Sequence, residues 1–512
     1  FRPDGTNGGT ATLTYLGWDQ TSGTRYGNAD ASVTGGSTAF SVQSAGASVT
    51  VLSINDAPVL APIAPTLTGI TEDDANPAGQ TVAAFLGSSV TDVDTGAVQG
   101  IAITAVTGAS GQWQYSLDGG GSWTAVGAVD ASNSLLLRTN DRLRFAPDGS
   151  NGATATMTYR AWDQSSGSAG AKVSTTSSGG QAAFSTALET AALTVSPVND
   201  APALSGTTTS IASVNESNTD PGGTLVSTLL GSRLTDVDNG AQQGIAITGA
   251  TGSVGRWQFY TGVAWADVGS VSGASALLLR SSDYVRFLPD DTNGGTASLT
   301  YHGWDRTSGS AGTKADATAT GGTTAFSTAT NTASVTIVAA NDAPVLTPIG
   351  PSLAGITEDQ TTPTGQTVAS FVGGSISDID NGAVQGIAIH TASSTNGQWE
   401  YSLDGGTNWS AVGTVDNNGA LLLRSGDLLR FVPNGQNGTT ASIGYRAWDQ
   451  TAGAAGGKAM ATSTGGSTAF STASDTATLV VTSLNDAPVL TAATPTLNPL
   501  TEKQTTNSGQ TV

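Results

Sequence analysis

The sequence predicts an all-β protein, a tandem array of β-sandwich domains. Three observations predict it. One unit is written out several times in a fixed register. Within the unit, short stretches alternate apolar and polar residues with period two. Turn residues separate those stretches, and no long run repeats with period 3.6.

The register is set by the tetrapeptide Asn-Asp-Ala-Pro, which starts at Asn55, Asn199, Asn341 and Asn485, in steps of 144, 142 and 144 residues. Trp18, Trp162, Trp304 and Trp448 keep the same steps, as do Glu72, Glu216, Glu358 and Glu502, and Phe1, Phe145, Phe287 and Phe431. A unit of roughly 143 residues can bury its own core. The expected domains are 55–198, 199–340 and 341–484, with 1–54 as the back part of an earlier unit and 485–512 as the start of a later one. A chain cut mid-unit reads as an excerpt of a longer array.

In the unit 55–198, Ile101 and Ile103 mark the first clear strand. Trp113, Tyr115 and Leu117 share one face of the next. Leu135-Leu136-Leu137 is a continuous apolar run, which suits a strand covered on both sides. Leu143 and Phe145 point inward between outward arginines, and residues 155, 157, 159 and 161 form an apolar face. Leu193 and Val195 close the unit. Asp94-Thr95-Gly96, Asp118-Gly119-Gly120 and Pro147-Asp148-Gly149 supply turns. About seven short strands of this kind make a β-sandwich. The Gly-, Ser- and Ala-rich stretch 165–180 shows no strand pattern and reads as a mobile surface loop. The joints carry Pro58, Pro62 and Pro65 without glycine, so they read as short and semi-rigid, and the array as a rod.

There are 39 acidic and 18 basic residues, a net charge of −21. That balance disfavours nucleic acid and anionic lipid and favours divalent cations. No apolar run reaches membrane-spanning length. Cysteine is absent, which excludes disulfides, thiolate metal sites and cysteine nucleophiles.

Six acidic positions recur in all three complete units: in the first, Asp56, Glu72, Asp92, Asp94, Asp141 and Asp163. Asp92 and Asp94, two residues apart, would share one face of a strand. Carboxylates aimed together repel unless a cation or proton sits between them, and calcium takes six to eight hard oxygens. Turn-capping aspartates are the competing reading, and recurrence of the whole set weighs against it.

The Asn-Asp-Ala-Pro joint, the glutamate some 16 residues on, the Asp-x-Asp and the Asp after Ala-Trp resemble the calcium motifs of cadherin repeats. The run from Phe145 through Asn-Gly and Trp-Asp-Gln to Pro202 is more similar to the cadherin-like and VCBS-type repeats of giant bacterial surface adhesins. The resemblance implies Ig/cadherin-like β-sandwiches with Ca²⁺ between consecutive domains. It places Asn55, Asp56, Asp92, Asp94 and Asp163 at the first junction. Glu72, Asn199, Asp200, Asp236, Asp238 and Asp305 fall at the second, and Glu216, Asn341, Asp342, Asp378, Asp380 and Asp449 at the third. The match is incomplete. Ser53, Pro197 and Ala339 stand where cadherins carry a leading aspartate, and Ala57 replaces an asparagine. Fewer ligands suggest one or two ions per junction.

Other motifs weigh less. Ser116–Trp123 fits an Asp-box, and one box per unit reads as a capped hairpin rather than a propeller blade. The recurring tryptophans read as core. His302 and His390 are not equivalent positions and support no catalytic triad. Arg138, Arg280 and Arg424 end the Leu-Leu-Leu run and read as carboxylate partners or as snorkelling side chains. The expected molecule is therefore a non-catalytic structural or adhesive rod, extracellular, on a bacterial surface or secreted. Its partners would be neighbouring repeats and a surface glycan or protein receptor, with no nucleic acid and no membrane insertion. Two alternatives stand: a self-assembling filament or sheath subunit that contacts other copies, and a carbohydrate-binding module.

Overall fold

A computed structural model describes residues 1–393 and 395–511. It is all-β apart from three five-residue helices. Apolar side chains gather in three main clusters, spanning 60–195, 204–337 and 346–481. Among the described residues no helix is long and apolar enough to cross a membrane.

In the first cluster a six-stranded sheet packs on a four-stranded one. The larger runs in the order Lys172–Val173, Ser134–Arg138, Gly100–Thr107, Ala153–Trp162, Glu189–Ser196, Ile70–Thr71. Its neighbours are antiparallel except the last pair, which is parallel. The smaller sheet runs Gln80–Thr81, Arg142–Pro147, Gly111–Ser116, Thr124–Ala125. Val59–Leu60 pairs separately with Val90–Thr91. Period-two alternation is what builds the interface. Ala155, Met157, Tyr159 and Ala161 are fully buried from one side, and Leu143, Phe145 and Trp113 meet them from the other. Each such large side chain contributes about 1.5–3 kcal/mol on burial.

Leu135 and Leu137 enter this core, whereas Leu136 turns to the opposite face and packs with Ala102, Trp162, Ala183 and Phe184. The strand is thus covered on both sides, as its continuous apolar run implies. What covers it corrects the reading of 165–180 as a mobile loop. Lys172–Val173 adds to the sheet edge, Gly170 N–H donates to Leu136 O (2.8 Å) and Trp162 Nε1 donates to Ser166 O (2.7 Å). The segment is small-residued because it lies flat on the Trp and Leu side chains. Gly167 has φ +83°, and a Cβ there would strike Leu136 Cδ1.

The helices Val82–Leu86, Val226–Leu230 and Val368–Val372 were not expected. Each buries its first, fourth and fifth residues and stops at a positive-φ glycine. One turn is too short to show a helical period.

The middle unit departs from its neighbours in the pairing near its start. Thr208–Ser210 forms a parallel strand on Phe326–Val338. The first unit, with Pro62 and Pro65 in that segment, makes a single bridge from Thr66 to Ala192. Proline removes the donors a ladder needs. There Glu189 accepts from the Ile63 and Ala64 N–H groups, as Asp475 does from Ile349 (2.8 Å). Asn331 stands at the same register and donates to Ser205 O (3.0 Å).

Residues 1–54 hold one hairpin, Gly9–Trp18 with Phe40–Val51. Residues 485–511 carry no strand or helix and lie exposed.

Candidate metal centres at the seams

The final strand of each unit runs into the Asn-Asp-Ala-Pro joint, and the acidic loops collect around it. Ile70–Thr71 lies beside the end of Glu189–Ser196, so Glu72 lands next to the joint. Its N–H donates to Ser196 O (3.1 Å), and its Oε1 accepts from Val198 N–H (2.6 Å). Glu72, Glu216 and Glu358 are all at most 1 % exposed.

On the other side, a chain of hydrogen bonds sets the carboxylates. Asp200 N–H donates to Asp238 Oδ2 (2.9 Å), and Asp238 N–H donates to Asp236 Oδ1 (2.9 Å). Asn199 Nδ2 donates to Asp305 Oδ2 (3.0 Å). The same chain recurs in two further places. It runs through Asp56, Asp94 and Asp92, with Asn55 on Asp163. It runs again through Asp342, Asp380 and Asp378, with Asn341 on Asp449. The Asp-x-Asp geometry differs from the expected strand face. The strand ends at Thr91, and the pair lies in a turn closed by the Asp94 N–H on Asp92. Aspartate favours capping its own backbone in this way.

One carboxylate oxygen from each of Glu72, Asp200 and Asp238 lies within 4.8 Å of the others. Glu216, Asp342 and Asp380 do the same. Burial, followed by the neighbouring acids, raises the pKa of Asp92, Asp236 and Asp378. Asp200 is raised by burial and then by Asp73, Asp238, Glu72 and Asp236. Asp342 is raised by burial and then by Asp380, Asp291, Glu216 and Asp378. None of the ion pairs among the described residues involves these groups. Asp141, the remaining recurrent acid, belongs elsewhere and pairs with Arg138 at 2.8 Å.

Asp73 and Asp291 therefore belong to the acidic seams although neither recurs in all three units, Asp73 returning only as Asp359, and recurrence in every unit was the signal used. Asp291 sits at φ +62°, in register with Gly149 and Gly435 at φ +73° and +74°. A non-glycine residue in that backbone is the sign that could have found it.

The buried side-chain atoms without a hydrogen-bond partner localise the chemistry. Glu72 Oε2, Asp200 Oδ2 and Asp236 Oδ2 lie at one seam, and Glu216 Oε2, Asp342 Oδ2 and Asp378 Oδ2 at the next. Asp92 Oδ2 and Asp94 Oδ1 flank Asn55, and Glu358 Oε2 closes the third unit. Apart from Glu358 Oε2, which no junction of the resemblance includes, every buried unpartnered carboxylate oxygen among the described residues belongs to a residue that the resemblance placed at a junction. The donors are all hard oxygens. Oxygens that share one calcium, each about 2.3–2.6 Å from it, lie no more than about 5 Å apart, so the residues present fit such an ion.

The other motifs resolve as structure. Asp118 accepts from Ser116 Oγ and from the Ser122 N–H and Oγ. Trp113 packs edge-on against Phe145, and the Arg144 guanidinium lies 4.2 Å above the Trp123 ring.

No protein-family model matches the chain, and no curated protein matches it. Solved structures that resemble it include human CDH23 EC21-23, at 12% identity and TM-score 0.37, covering 82% of this chain and 100% of that one. The human desmocollin-1 ectodomain matches at 12% identity and TM-score 0.29, over 89% and 67%. CfaE, the adhesive subunit of CFA/I fimbria of enterotoxigenic Escherichia coli, matches at 10% and 0.24, over 56% and 99%. At these values the likeness carries no argument about function.

Proposed function

We propose that the chain is a non-catalytic, extracellular structural and adhesive stretch of a long bacterial repeat protein, braced by calcium at its seams. The observation that carries this reading is a pair of buried, unpartnered carboxylate oxygens facing each other across a seam. Glu72 Oε2 comes from one unit and Asp200 Oδ2 from the next, and Glu216 Oε2 and Asp342 Oδ2 repeat the pair. Breaking the neutrality of a buried charge pair costs several kcal/mol, so such oxygens call for a positive counterpart. A bound divalent cation would supply that charge and join the two units through shared oxygens. Glu72 would hold it from the preceding unit and Asp200, Asp236, Asp238 and Asp305 from the following one. Asn199 would keep Asp305 in place with its amide. The set at Asn55 and the set at Asn341 would act alike.

Extracellular calcium modules bind at about 10⁻⁴–10⁻³ M, which suits a protein working outside cells. The resemblance of the joints to bacterial adhesin repeats supports the surface location. Catalysis gains no support: His302 is bonded through Nδ1 to Ser327 O, and His390 is half-buried in another unit.

Calorimetric titration of chelator-stripped protein tests the reading. Calcium should bind at both complete seams, and Glu72→Gln with Asp236→Asn should remove binding at the first alone. No heat and no gain in melting temperature at about 10 mM calcium, well above that affinity range, would refute it.

A further inference from the structure

The Asn-Gly pair just before the penultimate long strand of each unit, Asn151-Gly152 between Arg142–Pro147 and Ala153–Trp162 in the first, has no part in the cation site, yet it is the one group that fastens successive units directly. Asn151 Nδ2 donates to Val237 O (3.0 Å), and Asn151 Oδ1 accepts from Asn239 N–H (2.7 Å). Asn293 repeats this with Ile379 O (3.4 Å) and Asn381 N–H (2.8 Å). Asn7 does so with Val93 O (3.0 Å) and Thr95 N–H (2.7 Å), and Thr95 Oγ1 adds a bond to the same Asn7 oxygen (2.8 Å). Among the described residues, every hydrogen bond that crosses from before 55, 199 or 341 to beyond it runs through one of these asparagines.

The chemistry explains the residue. An asparagine amide offers one donor face and one acceptor face, as a peptide does. It pairs with backbone at two points and so fixes orientation as well as distance. Its two targets bracket the second aspartate of Asp-x-Asp: Val237 O precedes Asp238 and Asn239 N–H follows it. The following glycine anchors the other end. A Cβ on Gly152 would come 2.5 Å from Pro197 N, and one on Gly294 would come 2.7 Å from Ala339 N. The turn therefore packs directly against the joint of its own unit, and the amide measures from that joint to the next unit's acidic loop.

We propose that Asn7, Asn151 and Asn293 are interdomain latches that hold the units in register without metal and position the acidic loop for a cation. The latch acts across a seam where the carboxylates repel, and it stands whether or not calcium binds. Asn437 holds the same register in the third unit.

The absence of cysteine permits a clean test on the full chain. Ser168→Cys and Val263→Cys, both exposed, give one spin label in each of two neighbouring units. In chelator, the parent should show a narrower distance distribution than the Asn151 variants, and calcium should narrow it further. Asn151→Asp keeps the shape but turns an oxygen toward Val237 O, and it should broaden the distribution. Asn151→Ala should broaden it likewise, and Asn293→Asp should leave it unchanged. Calcium affinity at that seam should fall about tenfold in both Asn151 variants, as for lost outer partners of metal ligands. Identical distributions for parent and both variants in chelator would overturn the latch. If calcium leaves the parent distribution unaltered, the cation reading fails while the chelator comparison still decides the latch.

Discussion

The two complete seams reach the same charge by different routes. The first gathers Glu72, Asp73, Asp200, Asp236, Asp238 and Asp305, and the second gathers Glu216, Asp291, Asp342, Asp378, Asp380 and Asp449. Five of the six positions correspond. The sixth does not: Ser217 stands where the first seam has Asp73, and Gly149 stands where the second has Asp291. Left-handed backbone costs a residue with a Cβ roughly 1–2 kcal/mol, and Asp291 occupies it at φ +62°. The difference teaches that the conserved quantity within this chain is the charge of the seam, with one acidic position free to move.

The largest expected effect comes from breaking one seam and sparing the other. Asp236→Ala removes a carboxylate whose Oδ2 is buried without a partner and whose Oδ1 holds the Asp238 N–H. Calcium affinity there should fall by about 100-fold, and the seam at Asp342 should keep its own. Calorimetry that resolves the two sites checks this. Equal losses at both would deny that the seams are separate.

Next in size, Asp291→Gly should trade affinity for stability. The second seam should bind calcium several-fold more weakly, while the chelated protein gains about 1 kcal/mol from relieved backbone. Gly149→Asp should do the reverse at the first seam. Unchanged affinity in both variants would mean the sixth acid is incidental.

A smaller effect appears in pH. Burial and neighbouring acids raise Asp236 above the usual 3.8, so the folded state holds that proton more tightly than the unfolded chain. Stability of the chelated protein should therefore rise as pH falls from neutral toward 3.8, and be lost again as pH climbs through the raised value. His390, lowered by burial and by Arg446, acts in the opposite sense below 6.5. The measurement is therefore the difference in melting temperature between the parent and Asp236→Asn, which share that histidine. A difference that does not change with pH would contradict the assigned burial.

What the sequence made legible follows from how each feature is encoded. Side chains on a sheet alternate, so the faces of 142–145 and 155–161 could be read directly, as could the two-sided cover of Leu135–Leu137. The helix Val82–Leu86 could not, since five residues make little more than one turn. The segment 165–180 hid its role because backbone and small residues do its packing. The acids were found by recurrence, which caught every carboxylate at the common positions and missed Asp73 and Asp291, whose shared property is location in space. The contacts of Asn151 were equally hidden, since its partners lie 86 and 88 residues away.

The central claim is that carboxylates facing each other across a seam are held together by calcium. Small-angle scattering of the same sample in millimolar calcium and then in excess chelator tests it most directly. The account predicts a single well-defined maximum dimension with calcium and a broader pair-distance distribution after chelation. Superimposable curves in the two conditions would contradict it.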